Sequence, residues 1–205
     1  MISILKKIIQ TLFKEGRNRG VYLTLLMNIA HLVGVLRGGL YKVIYFRNIN
    51  SSIFSLQRNS TIEIFNKNSR ISIGKFVFIR KNVSIRMDFD GVLSVGEKTF
   101  INDNCNINCI NKVTIGRGTK IAPYVCINDH DHNYKGLPGD HMIKGEVIIG
   151  ENVWIGSHVV ILKDTIIGDN VVVAAGSVVK GEIPSNTLFV NKRDNTLIHY
   201  MGTSS

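Results

Sequence analysis

Between residues 73 and 179 aliphatic side chains recur at a spacing of six, in three trios and one run of six. Ile73, Ile79 and Ile85 form one trio, Val95, Ile101 and Ile107 a second, and Ile115, Ile121 and Ile127 a third. Ile149, Ile155, Ile161, Ile167, Val173 and Val179 then run on without interruption. Four residues beyond twelve of these fifteen stands a small or β-branched residue, among them Val77, Thr99, Cys105, Thr119, Val153, Thr165 and Ser177. Such a repeat encodes one short strand and one turn, and three units close a triangular coil. Coils stack by parallel pairing at about 4.8 Å. The aliphatic residue then points into the narrow interior, the residue four further on fits inside a corner, and Gly or Asn beside it relieves the turn backbone. The expected fold is mainly β, a left-handed parallel β-helix. It has five clear coils and a sixth from the degenerate stretch Leu56 to Ile64, giving a prism about 24–29 Å tall.

The interruptions carry information too. Ile85 to Val95 is ten residues and Ile107 to Ile115 is eight, so small bulges are expected there. Ile127 to Ile149 is 22, and the surplus, residues 133–148, must leave the coil as an extruded loop of the kind that carries function. Ahead of the repeat the period changes. Ile2, Leu5, Ile8, Ile9, Leu12 and Phe13 recur at helical spacing, and a second apolar stretch from Val21 to Leu40 follows the break at residues 15–20. Asn28, His31, Arg37 and three glycines interrupt that stretch, which makes it a poor spanning segment. A basic amphipathic segment on an anionic membrane surface is one reading, and helices packed on the protein or on a neighbouring subunit are the other. The organisation expected is a helical segment over 1–50, a β-helix over 51–184 and a tail over 185–205.

Charge sharpens this division. The 205-residue chain carries a formal +10, of which residues 1–50 hold +7 and the remainder only +3. The basic character therefore belongs to the N-terminal segment, and with no zinc finger or basic-aromatic alternation it gives no case for nucleic acid. Cys105, Cys109 and Cys126 cannot form a fully paired disulfide framework, which points to a reducing compartment. No stretch has the order of a secretory leader, so a cytoplasmic protein, at the inner face of the membrane on the first reading of residues 1–50, is expected.

Three segments, TIGRGTKIAPYVCINDHDH (114–132), VIIGENVWIGSHVVIL (147–162) and VVVAAGSVVKGEIP (171–184), together resemble the hexapeptide-repeat acyltransferases. The resemblance is closest to the galactoside/maltose acetyltransferases and the bacterial polysaccharide O-acetyltransferases. It covers residues 95–184 and, more loosely, 60–94. It implies acetyl transfer from acetyl-CoA to a carbohydrate acceptor, in a homotrimer whose sites lie between neighbouring prisms. His130 matches the family's general base, a role that suits an imidazole within reach of the acceptor hydroxyl. His132 is the rival for that role. Asp129 and Asp131 are candidates to orient an imidazole or bind the acceptor.

Asn102 and Asn104 match an Asn-x-Asn motif that holds acceptor sugars in galactoside-type relatives, where an amide donates and accepts together. The other reading is Asn as a corner residue. Trp154, the only Trp, follows the corner residue Val153 and should project outward to line the acceptor or coenzyme cleft. For the coenzyme the resemblance points to Gly156, Ser157, Ala174, Ala175 and Gly176, with Lys180, Lys192 and Arg193 toward its phosphates. Beyond Phe189 the family's usual Gly-x-Pro-Ala segment is replaced by residues 190–194. His158 is read as structural. His130, His132, His141 and His158 do not reproduce the three-histidine zinc pattern of γ-class carbonic anhydrases, so no metal is expected. The function expected is O-acetylation of a bacterial surface polysaccharide or its precursor. N-acetylation of an amino sugar nucleotide, small-sugar O-acetylation and a non-enzymatic β-helical scaffold are the alternatives.

Overall fold

A computed structural model describes residues 2–134 and 141–191. Two helices, α1 (Ile2–Arg19) and α2 (Val21–Ile44), precede a parallel β-helix whose strands lie on three faces. The first face runs Ile49–Ser51, Arg70–Ile73, Val92–Val95, Lys112–Ile115 and Glu146–Ile149, then the second halves of Val160–Ile167 and Val178–Ile183. The second face runs from Phe54–Leu56 through Val77–Ile79, Phe100–Ile101, Lys120–Ile121, Trp154–Ile155 and Val172–Val173 to Leu188–Phe189. The third holds Thr61–Ile64, Ser84–Met87, Asn106–Cys109, Cys126–Asn128 and the first halves of the two long strands.

The register places the hexad aliphatics in three interior columns. Ile73, Val95, Ile115, Ile149, Ile167 and Ile183 stack on the first face. Leu56, Ile79, Ile101, Ile121, Ile155, Val173 and Phe189 stack on the second, and Ile62, Ile85, Ile107, Ile127, Ile161 and Val179 on the third. Apart from Phe189 these side chains are at most 3% exposed, and each buried aliphatic contributes about 1.5–3 kcal/mol. The corner residues behave as the repeat requires. Thr99 and Thr119, both fully buried, donate their hydroxyls to the carbonyls of Gly116 and Gly150 at 3.0 and 2.9 Å.

At the corners the backbone turns through the left-handed region. Asn59, Asn82, Asn104, Tyr124, His158 and Gly176 do so between the second and third faces, all with φ between 57 and 70°. Asn recurs there because its short polar side chain tolerates that backbone. His158 is a corner residue too, its ring stacked on Tyr124 at 4.9 Å.

Two boundaries differ from those read off the repeat. The coil starts at Ile49, ahead of residue 51, and its last described strand ends at Phe189, beyond 184. The excursion runs from residue 130 to 145 rather than 133 to 148. Glu146–Ile149 already pairs with both neighbouring coils, and His130–His132 has left them to pair antiparallel with Met142–Lys144. Counting surplus residues fixes a loop's length but not its phase, since either end of the excess can absorb the shift.

Candidate active site

The hairpin springs from the corner between the third and first faces. One coil earlier, the stretch between Ile107 and Ile115 is eight residues long, and its two extra residues, Ile110 and Asn111, turn their N–H groups toward Asp129. The Asp129 carboxylate is fully buried. Oδ1 accepts from Ile110 N at 3.0 Å, and Oδ2 from Ile110 N and Asn111 N at 3.1 and 2.8 Å. These donors supply the solvation a buried carboxylate requires. The remaining partner of Oδ1 is His130 Nδ1 at 2.9 Å.

A carboxylate oxygen only accepts, so the bond places the imidazole proton on Nδ1 and leaves the Nε2 lone pair free. The His130 side chain is 15% exposed, so the ring is walled in yet reaches solvent. Gly145 closes the hairpin base, its N–H bonded to Asp129 O at 2.7 Å and its carbonyl to Asn111 Nδ2 at 2.8 Å. Register then sets Lys144 opposite His130, and the Lys144 ammonium lies 4.7 Å from the centre of the Phe89 ring. The arrangement is an oriented imidazole on a tied-down base, suited to removing a proton from a ligand at the prism edge.

The other expected residues fall elsewhere. Asp129 is enclosed, with both oxygens engaged, so an acceptor contact is closed to it; its contact is with His130. Asp131 and His132 are exposed on the hairpin, opposite Ile143 and Met142, and no described carboxylate holds the His132 ring. Asn102 and Asn104 lie at the corner between the second and third faces. Asn102 Oδ1 accepts from Asp103 N at 2.9 Å. Asn104 has φ 60°, and its Oδ1 accepts from Asn82 Nδ2 at 3.1 Å, which makes it a rung in a corner ladder.

Farther along that same corner come Gly156 and Ser157, then Ala174, Ala175 and Gly176 one coil on. The Gly156 Cα lies so close to the next coil that a Cβ would come within 2.5 Å of Ala175 N. This edge is therefore a shallow strip of small side chains. Trp154 projects outward from the second face, 55% exposed, level with Lys120 and Val172. Lys180 is exposed at the corner between the third and first faces, apart from the strip. Lys192 and Arg193 lie outside the described residues. Within one chain, then, the oriented histidine occupies one edge of the prism, and the amides and small-residue strip occupy another. Among the described residues no three of His, Cys, Asp and Glu converge as a metal site.

Sequence reasoning missed the Ile110 and Asn111 amides. Their signal was the irregular spacing from Ile107 to Ile115, read only as a bulge.

Comparison with known proteins places this geometry in context. Residues 146–181 match the family described as bacterial transferase hexapeptide (six repeats). A protein of Escherichia coli K12, provisionally named a lipopolysaccharide biosynthesis O-acetyl transferase, is 41% identical over 119 residues, which are 52% of this chain and 61% of that protein. A Schizosaccharomyces pombe protein, provisionally named an acetyltransferase, is 30% identical over 151 residues, covering 70% of this chain and 73% of its own. Among solved structures, a variant of the N-acyltransferase AntD from Bacillus cereus, in complex with dTDP and coenzyme A, superposes with a TM-score of 0.61. At 21% identity it covers 75% of this chain and 84% of its own, a likeness of fold.

Proposed function

This chain belongs to the hexapeptide-repeat acyltransferases, and on that premise we propose that it transfers acetyl from acetyl-CoA to a hydroxyl of a bacterial surface polysaccharide or its precursor. The observation that carries the reading is the Asp129–His130 pair, an imidazole with one nitrogen tied to a buried carboxylate and the other left as a base. In this mechanism His130 Nε2 takes the proton of the acceptor hydroxyl as its oxygen attacks the thioester carbonyl. The carbon–sulfur bond then breaks, and His130 returns the proton to the departing thiolate. Asp129 holds the ring in the productive tautomer and stabilises the imidazolium that forms between the two transfers. General base catalysis of this kind is worth about 10²–10⁴-fold in rate.

A carbohydrate acceptor is supported by the provisional name of the E. coli relative and by the half-buried amides of Asn102 and Asn104. Asp131, His132 and Trp154 are the exposed side chains proposed to flank that acceptor. The strip from Gly156–Ser157 to Ala174–Gly176 is proposed to take the pantetheine arm, with Lys180, on the other edge, reaching the phosphates from the second copy. Because base and strip sit on different edges of one prism, the site is proposed to be completed by a second copy, in a homotrimer. The setting is the cytoplasmic side of the membrane, with residues 1–50 toward the lipid.

Thiol release from acetyl-CoA across a panel of hydroxyl and amino sugars tests the reading. Acceptor-dependent release with hydroxyl sugars is the expected result. Turnover confined to amino sugars would make it an N-acetyltransferase, and no turnover or coenzyme binding at all would sink both.

A further inference from the structure

The helix α2 is seated the wrong way round for a helix of a soluble prism. The residues it buries are Thr24, Gly34 and Gly38, while Leu25, Leu32, Leu36 and Val43 are 57–71% exposed. The seating is enforced by contact. Gly34 faces the side chains of Ser55 and Gln57, and a Cβ on Gly38 would come within 2.7 Å of the Phe54 carbonyl. The small face must go inward, and the large apolar face is left outside.

That outer face asks for few hydrogen bonds, because Thr24, Asn28, Arg37 and Lys42 of α2 bond within the chain. Thr24 Oγ1 donates to Gly20 O at 3.0 Å and Asn28 Nδ2 to Thr24 O at 2.7 Å. Arg37 reaches Ser60 O at 2.9 Å, Lys42 reaches Ser51 O at 2.6 Å, and the His31 ring stacks on Phe78 at 5.3 Å. The flanks are cationic, with exposed Arg17 and Arg19 before the helix and Arg47 after it. A groove of about 960 Å³ between α1 and α2 repeats the pairing, with Phe13, Val21 and Leu25 beside Lys14 and Arg17.

We infer that this face docks on an anionic lipid bilayer, with α2 lying along the surface as an in-plane anchor. Charge complementarity selects the occupant. Residues 1–50 carry +7 on an otherwise nearly balanced protein, which an anionic surface attracts and a second copy of the same segment repels. By length and composition α2 is apolar enough to cross a membrane. The bonds from Arg37 and Lys42 strap its C-terminal half to the prism, so it lies flat instead. Apolar burial and attraction to anionic lipid together give the two signals that stable peripheral binding requires. The docking stands independently of the enzymatic reading. Its corollary, that the acceptor is a membrane-borne precursor, rests on that reading.

Flotation of the full-length protein with vesicles of phosphatidylcholine alone, or with about one third phosphatidylglycerol, tests the inference. The protein is expected to float with the anionic vesicles and to be released by high salt. Leu32→Glu/Leu36→Glu should lower the bound fraction about tenfold or more, as should Arg17→Glu/Arg19→Glu, while both keep wild-type thiol release from acetyl-CoA. A wild-type protein that stays at the bottom of the gradient overturns the docking, as does a pair of variants that float as well as it does. If Leu32→Glu/Leu36→Glu instead dissociates the oligomer, the face belongs to another copy and the inference fails. Flotation is read without turnover, so an error in the catalytic assignment would leave this result intact.

Discussion

Asp129 illustrates how much a single carboxylate does in this fold. It is fully buried, takes two backbone N–H groups and fixes which nitrogen of His130 carries the proton. Asp129→Asn keeps size and acceptor oxygen but offers His130 Nδ1 a donor amide, which moves the imidazole proton to Nε2. The expected outcome is a fall in kcat of about 10²–10⁴-fold with the coenzyme KM unchanged; a loss smaller than tenfold would detach Asp129 from the chemistry. Of this arrangement the adjacency of Asp129 and His130 was readable in the sequence. The amides that hold the carboxylate were not, because backbone donors have no letter of their own.

The thiols give a second residue-scale test. Burial pushes Cys105 up to about 11, and Cys109, buried beside the Asp129 charge, rises as well. Unfolding lets Cys105 ionise from near pH 9, so its contribution is intact below pH 9 and is lost as pH climbs toward 11. Over that window it amounts to about 2–3 kcal/mol. Urea midpoints compared with Cys105→Ala between pH 8 and 11 should converge as pH rises, and parallel curves would refute the shift.

Among the elements, the coil is the part the hexad spells out most completely. Ile115, Ile121 and Ile127 sit at the interior positions their spacing requires, each in register with its equivalent one coil away. The phase of the hairpin was hidden, since Asp129 to Gly145 contains no hexad to count from. The seating of α2 was left open between a membrane surface and the protein, and the tight approach at Gly38, which turns the small face inward, has no periodic signal. The same tightness governs the corners. A Cβ on Gly116 would run into the backbone of Gly150 in the next coil, where no rotamer can yield. Gly116→Ala should therefore cost about 1–3 kcal/mol or more by urea unfolding, and an unchanged midpoint would show that the coils slide apart freely.

On the scale of the whole molecule, the Asp129–His130 pair lies on one edge of the prism and the amides and small-residue strip lie on another. On the proposed function, one prism alone does not make a complete site. If a second copy supplies the missing edge, two inactive chains should rescue each other. Coexpression of His130→Ala with Ala175→Trp, which plugs the strip at an exposed position, should restore about one quarter of the sites by random assembly. A mixture as dead as its parents would place the whole site within one chain. The +10 charge also resolves at this scale, as a cationic helical segment on a nearly neutral prism. The most direct test of the central claim is kcat/KM for acceptor-dependent thiol release from acetyl-CoA, compared between the wild-type protein and His130→Ala. The account predicts a loss of about 10²–10⁴-fold with coenzyme binding and unfolding midpoint retained; a variant that turns over at nearly the wild-type rate would contradict it.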